Sequence, residues 1–408
     1  MEVNKNRLFL ASCIALIVTA MSFAIRGDIM GDLETVFTLD KTQLGVIGGA
    51  AFFSFGLAIF IGGSLCDLLG MGALLYLAGA CHIGGTILTI FAPSYTVVVV
   101  ATLLVGIGNG LVEAVCNPLI ATIFPDKKTQ KLTLFHAWFP GGIVIGGVAC
   151  FVLGRMGLEM GTALGWKVKM ALLLLPAIVY MGMLIGQKFP ATERVASGVP
   201  FSEMFLEAVR RPLFWIIFIC MWLTAATELG PGTWIANIYK DVMGDTAGAG
   251  ILLLVWGSGL MWVLRQFCSG IAHKMTPVSL IACTAPFAAV GLWMCSQATT
   301  PVMWFVASGL LYFGVCFWWP TMLGITSERM PKTGALGLAI IGGTGCFSTS
   351  LASPIMGWIN EKYGAEKVLA YWAVLPVALV VIFGWIYLSD KAKGGYHVEE
   401  LETGNDNE

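Results

Sequence analysis

Twelve long apolar runs constrain this chain more than any other feature. They cover roughly residues 8–33, 42–66, 73–92, 97–124, 131–155, 167–188, 212–239, 247–272, 277–296, 302–327, 334–359 and 367–389. Each is close to the roughly 20 residues that a helix needs to cross a hydrocarbon core. Lipid offers backbone groups no hydrogen bonds, so only helices or a closed barrel can span it. Barrel strands alternate over about ten residues, whereas these runs are continuous. The predicted fold class is an all-α membrane protein with twelve transmembrane helices, spans 1 to 12. Composition agrees, with 12% of the 408 residues charged and 57% apolar, against about 25% charged in soluble domains. The run after Lys5 and Arg7 exceeds the roughly 7–15 residues of a signal-peptide core, so it reads as span 1.

Charge narrows the partners. A net charge of −1 leaves no basic stripe for nucleic acid. The 11 cysteines lie in or beside apolar runs, as small hydrophobes rather than disulfide or metal ligands. No nucleophile with an oriented base, metal-ligand spacing or phosphate loop stands out, so neither an enzyme nor a cofactor is expected. The lipid bilayer and a small-molecule solute are the expected partners, with the chain acting as a monomer. With the N-terminus inside, fourteen Lys and Arg fall on the inner side and seven in outer loops, Lys167 and Lys169 among the latter. The positive-inside bias predicts cytoplasmic termini and a cell-membrane location.

The runs divide six and six. Bundles at 1–189 and 212–389 flank a charged loop at 190–211, and a polar tail at 390–408 is expected to be disordered. Landmarks repeat near one offset: Asn117-Pro118 and Trp319-Pro320, Gly141-Gly142 and Gly342-Gly343, Asp28 and Glu228. Two parallel six-helix repeats are the architecture of the major facilitator superfamily, with substrate held between the halves at the midplane. Gly63-Ser-Leu-Cys-Asp67-Leu-Leu-Gly70 resembles the superfamily's motif after span 2, which gives Asp67 a gating role. The basic residues that usually follow are replaced by Met71 and Gly72, and Arg265 and Gly270-Ile-Ala-His273-Lys274 occupy the related place in the second half.

Ionisable groups inside a span are costly and therefore functional candidates. Asn109, Glu113 and Asn117 recur every four residues and form one polar stripe on span 4. Asp28 stands in the outer part of span 1, where it either couples protons or pairs with Arg26. His136 precedes Trp138 in span 5 and either carries a proton, meets a sugar hydroxyl or makes an interhelical bond. Glu228 sits before Pro231, Gly232 and Trp234 in span 7, and Trp319 precedes Pro320 in span 10. Aromatic faces pack on the C–H face of a pyranose while carboxylates and amides bind its hydroxyls. Arg265 in span 8 suits either a gate or an anionic solute.

Glu113-Ala-Val-Cys-Asn117-Pro118 resembles the span 4 motif of the fucose permease-like branch of the superfamily, the fucose/glucose/galactose proton symporters. Gly27-Asp28-Ile29-Met30 is similar to that branch's Asn-Asp-Ile-Leu, Leu132 to Gly142 to its span 5 stretch, Trp319-Pro320-Thr321 to its Tyr-Pro-Thr, and Ile341-Gly342-Gly343 with Pro354-Ile-Met-Gly357 to its span 11. The resemblance implies proton-coupled sugar import, with Asp28 as the protonation site and Glu113 in both sugar binding and coupling. The family's span 5 Gln stands here as His136, its Asn as Phe139 and its Tyr as Trp319, so the particular sugar stays open. Two other readings are an anion carrier, which needs Arg26 and Arg265 to face the cavity, and a non-transporting solute sensor.

Overall fold

The structure is a computed structural model that describes residues 3–124, 128–156, 165–190, 206, 208–244, 249–267, 275–330 and 333–399. Among these residues, 12 helices are long and apolar enough to cross a membrane. Span 1 is Lys5–Phe37, span 2 Lys41–Leu69, span 3 Met71–Ile90 and span 4 Tyr95–Ile123. Span 5 is broken into Lys128–His136 and Trp138–Arg155, and span 6 into Gly165–Ala171 and Leu174–Leu184. In the second half, span 7 is Pro212–Met243, span 8 Ala249–Phe267, span 9 Pro277–Gln297 and span 11 Gly334–Tyr363. Span 10 is broken into Pro301–Val315 and Trp318–Arg329, and span 12 into Ala365–Trp372 and Val374–Ala392.

The four breaks share a cause. Pro140, Pro176, Pro320 and Pro376 each follow a break by about three residues. Proline has no N–H and its ring collides with the carbonyl four residues back. Each break therefore frees a carbonyl, and inside a membrane that oxygen needs another donor. Pro320 frees the Cys316 carbonyl, which accepts from Arg265 Nε at 2.9 Å. In unbroken span 4, Pro118 frees the Ala114 carbonyl, which lies 3.6 Å from Cys66 Sγ.

Spans 2 and 11 run along each other across the two halves, and small residues set their approach. At the end away from the termini, an added Cβ on Gly45 would stand 2.6 Å from Pro354 Cα, and one on Gly49 would strike the Ser350 carbonyl. Toward the termini, Gly63 and Gly342 face open space. Polar contacts finish the closed end: Lys41 reaches Glu34 at 2.9 Å and Asp241 at 3.3 Å, and Thr42 donates to Glu361 at 2.7 Å. Span 1 joins the same seam, with Asn237 of span 7 donating to the Gly27 carbonyl at 3.1 Å. Among the described residues the seam is closed at this far end and looser at Gly63 and Gly342, toward the end that carries both termini.

Two expectations need correction. Lys169 is no loop residue: it lies within span 6, is 5% exposed and pairs with Asp28 at 2.6 Å. The expected disorder of the tail fails for its first part. Arg211 grips both Glu399 oxygens at 2.8 and 2.6 Å, Glu399 N donates to the Glu328 carbonyl at 2.8 Å, and Tyr396 donates to Glu328 at 2.8 Å. Arg329 pairs with Asp390 and lies over the Tyr396 ring at 4.4 Å. Burial and the neighbouring Glu328 carboxylate push the Tyr396 phenol up from its ordinary value. Residues 400–408, most of the 190–211 loop and the Gly270–Lys274 stretch lie outside the described residues.

Candidate functional site

Span 4 supplies the first wall of the site. Helical spacing puts Asn109, Glu113 and Asn117 on one stripe, yet the three do different work. Asn109 is fully buried, bonds His82 Nε2 at 2.9 Å and donates to Ser22 at 3.1 Å, while His82 Nδ1 lies 3.0 Å from the Tyr180 hydroxyl. This network ties spans 1, 3, 4 and 6 together and leaves Asn109 nothing for a solute. One turn on, Glu113 and Asn117 are half-buried. Asn117 Nδ2 donates to Glu113 Oε2 at 2.9 Å and to the Glu113 carbonyl at 3.0 Å, and its Oδ1 lies 2.9 Å from His136 Nε2. The pieces Glu113, Asn117 and His136 thus form one hydrogen-bonded chain across spans 4 and 5, all three half-buried.

The opposite wall belongs to the second half. Arg265 Nη2 reaches Glu228 Oε1 at 3.4 Å, with 15% and 10% of the two side chains exposed. Together with the Cys316 carbonyl this holds the guanidinium between spans 7, 8 and 10. Glu113 and Arg265 both lie close enough for their charges to act on His136, which stands between the halves. Glu228 Oε2 and the Tyr312 hydroxyl are buried and have no hydrogen-bond partner. Both line a cavity of about 50 Å³ with Phe23, Phe139, Thr233 and Ser258, which is room for a few waters. Buried polar atoms are nearly always satisfied, so these two are placed to bond whatever fills the cavity, water or solute.

Aromatic side chains frame this space. Phe23 stacks on Phe52 at 4.5 Å and lies 6.0 Å from Phe139. Trp138 and Trp262 meet across the halves at 6.2 Å. Trp319 is half-buried and packs on the Phe23 cluster near Gly345. Trp318 instead points away, fully buried, with its indole donating to Thr284 at 2.9 Å. Trp234 is also fully buried and donates to Ser353 at 3.1 Å. It belongs to the packed far-end seam, not to the cavity.

Asp28 lies apart from these groups. It is 3% exposed, and its partner is Lys169 rather than Arg26. Arg26 is 6% exposed and its Nη1 has no partner. The side chain of Asp67 is outside the described residues. Sequence reasoning missed Lys169, Tyr312, Phe23 and Ser258. Lys169 was visible as a lysine inside an apolar run. Tyr312 was not, because tyrosine is equally at home in the interfacial belts.

Comparisons with known proteins agree with this geometry. Residues 8–334 match the family model of the Major Facilitator Superfamily. The xylose transporter XylE from E. coli, in a partially occluded inward-open conformation, is 13% identical, with 94% of this chain and 98% of that chain covered at a TM-score of 0.76. The nucleoside transporter NupG is 12% identical, covering 93% of this chain and 100% of its own at 0.74. The E. coli fucose:proton symporter FucP is 15% identical, covering 92% and 98% at 0.65. Twelve apolar helices in this arrangement, with a cavity between two halves, have the same meaning: the chain belongs to the Major Facilitator Superfamily and is a transporter, not an enzyme.

Proposed function

We propose that the protein carries a small polyhydroxylated solute, a sugar, across the cell membrane by alternating access, and that protons drive its import. The observation that carries this reading is the match between the two walls. The Glu113–Asn117–His136 chain offers acceptors and donors on one side. Glu228 Oε2 and the Tyr312 hydroxyl wait unpartnered on the other. A sugar presents hydroxyls in both directions and an apolar C–H face for Phe23, Phe139 and Trp319. The names of XylE and FucP point the same way. With cytoplasmic termini, as the charge bias suggests, the closed far-end seam faces outward. The protein works as a monomer in this reading, since each half supplies one wall.

An anion carrier is the second reading, and Arg26 Nη1 is its motive. It is the weaker one. Arg265 is already neutralised by Glu228, and Arg26 does not line the cavity. In neither reading does the chain serve as a mere sensor, since the family it belongs to is one of transporters.

Glu113 provides the test. A carboxylate that accepts from sugar hydroxyls can couple solute and proton, since each changes the free energy of binding the other. Proteoliposomes would be offered D-xylose, L-fucose, D-glucose and D-glucuronate under an inward proton gradient. Neutral sugar accumulation is expected, unaffected by sodium. Glu113→Gln is expected to abolish accumulation yet keep sugar–sugar exchange, with a flatter pH dependence. Normal accumulation by Glu113→Gln would move the coupling role away from Glu113, and selective accumulation of D-glucuronate would favour the anion reading.

A further inference from the structure

Lys169 is a charged group inside the membrane that the proposed cycle does not yet use. It meets Asp28 at 2.6 Å, with 7% and 4% of the two side chains exposed. Asp32 stands one turn along span 1, Cys150 of span 5 sits beside Asp28, and Lys240 of span 7 lies near enough for its charge to be felt there. Lys169 is the cation in direct contact.

Its segment is also set apart. Gly165–Ala171 ends two turns in, and Leu172 and Leu173 bond only to carbonyls three residues back, at 3.2 and 3.1 Å. Pro176 lies just beyond and keeps the helical ladder from closing across the break. Such a segment can tilt while the rest of span 6, anchored by the Tyr180–His82 bond, stays in place.

Neutralising one member of a buried ion pair strands the other charge, which is strongly unfavourable. Protonating Asp28 in this closed arrangement would strand Lys169. A proton on Asp28 and the tight packing of spans 1 and 6 therefore exclude each other. We propose that Lys169 is the resident counter-ion of Asp28, so that Asp28 takes a proton only as the Gly165–Ala171 segment draws Lys169 away and the far end loosens. The proton passes from far-side water to an Asp28 oxygen, while Lys169 keeps its own proton and becomes hydrated. On return, the proton leaves Asp28 and the pair re-forms. The use made of the pair rests on the proton-coupled reading above, but the pairing does not.

The test needs no solute. Full-length protein in lipid nanodiscs would be titrated by infrared spectroscopy, with the protonated Asp28 band assigned by its loss in Asp28→Asn. The parent and Lys169→Arg are expected to show no such band at pH 7, and Lys169→Met a full one. A Lys169→Met band that matches the parent at every pH overturns the proposal. If Lys169→Met does not fold, spin labels at Val36 and Tyr363, exposed at the far ends of spans 1 and 11, provide the second measurement. Asp28→Asn, which strands the lysine, is expected to shift the far end several-fold toward the open distance. Asp28→Asn/Lys169→Met, which strands nothing, is expected to return to the parent's distance. Equal distances in all three would also overturn it. Absence of proton-driven uptake, with the bands as expected, would remove the coupled reading and leave the pairing intact.

Discussion

Spans 1 and 7 occupy the same place in the two halves, and each carries a carboxylate, Asp28 and Glu228. Their surroundings differ. Asp28 is closed off against a lysine of its own half, at 2.6 Å and almost without exposure. Glu228 has a longer contact of 3.4 Å to Arg265 and leaves one oxygen bare at the cavity. Span 12, which stands where span 6 stands in the first half, reaches span 7 without charge: the Trp372 indole donates to the Ala226 carbonyl at 2.9 Å. A repeated scaffold thus surrounds its two carboxylates differently: one is sealed against a cation of its own half, and the other keeps an oxygen free at a cavity.

The largest way to break this comparison is to remove Arg265. Arg265→Met leaves Glu228 buried with no cation, a loss of about 3–5 kcal/mol when a buried pair is broken from one side. Trp372→Phe removes a single neutral hydrogen bond, about 1 kcal/mol. Thermal unfolding in detergent is expected to rank the two variants in that order, with Glu228→Gln/Arg265→Met recovering most of the loss. Equal midpoints for Arg265→Met and the parent would mean that Glu228 needs no cation.

A smaller effect is expected at the far-end seam. The Lys41 and Asp241 side chains are 22% and 32% exposed, and pairs of that kind contribute roughly 0.2–1 kcal/mol. Lys41→Met is therefore expected to shift the shut and open populations by no more than about fivefold, read as a change in far-end spin-label distances. A latch of this strength costs little to undo, whereas the buried pair beneath it separates only when its charge is neutralised. A protein locked open by Lys41→Met would show that the seam hangs on one charge rather than on glycine packing.

The smallest effect belongs to the tail. Tyr396→Phe removes one bond to Glu328, about 1 kcal/mol or less at a half-buried site, and is expected to leave transport unchanged. Because the phenol is held above its ordinary value, its contribution is fully present below about pH 10, the value of free tyrosine. It is lost as pH rises further and the phenolate forms beside Glu328. Hydrogen exchange across residues 393–399 would follow the release, and no alkaline release would place the tail's hold on Arg211 and Glu399 instead.

The fold was largely legible because lipid leaves few choices: apolar length gave twelve spans, and the shared offset of Asp28 and Glu228 gave the repeat. The proposed site was legible in part. Glu113 and Asn117 stood out because polar groups at helical spacing are rare in a span, and the structure joins both to His136. The same spacing swept in Asn109, since periodicity fixes a face but not which turn of that face meets a neighbour. Trp234 followed the Pro231 break in sequence yet lies beyond the cavity, in the seam. Lys169 was misassigned because a basic residue near a span end is ordinarily a loop residue, and only a partner 141 positions away in the chain makes it a buried one.

The carbonyl freed at Cys316 has a consequence for how variation in this protein will be read. Arg265 is held there by the main chain, so the determinant is inherited through Pro320 and not through the side chain at 316. A mutational scan would register the carbonyl's role at Pro320, while the score at Cys316 would report only the packing of its buried side chain. A genetic map of this protein will therefore place the determinant of the Arg265 contact four residues away from the atom that makes it.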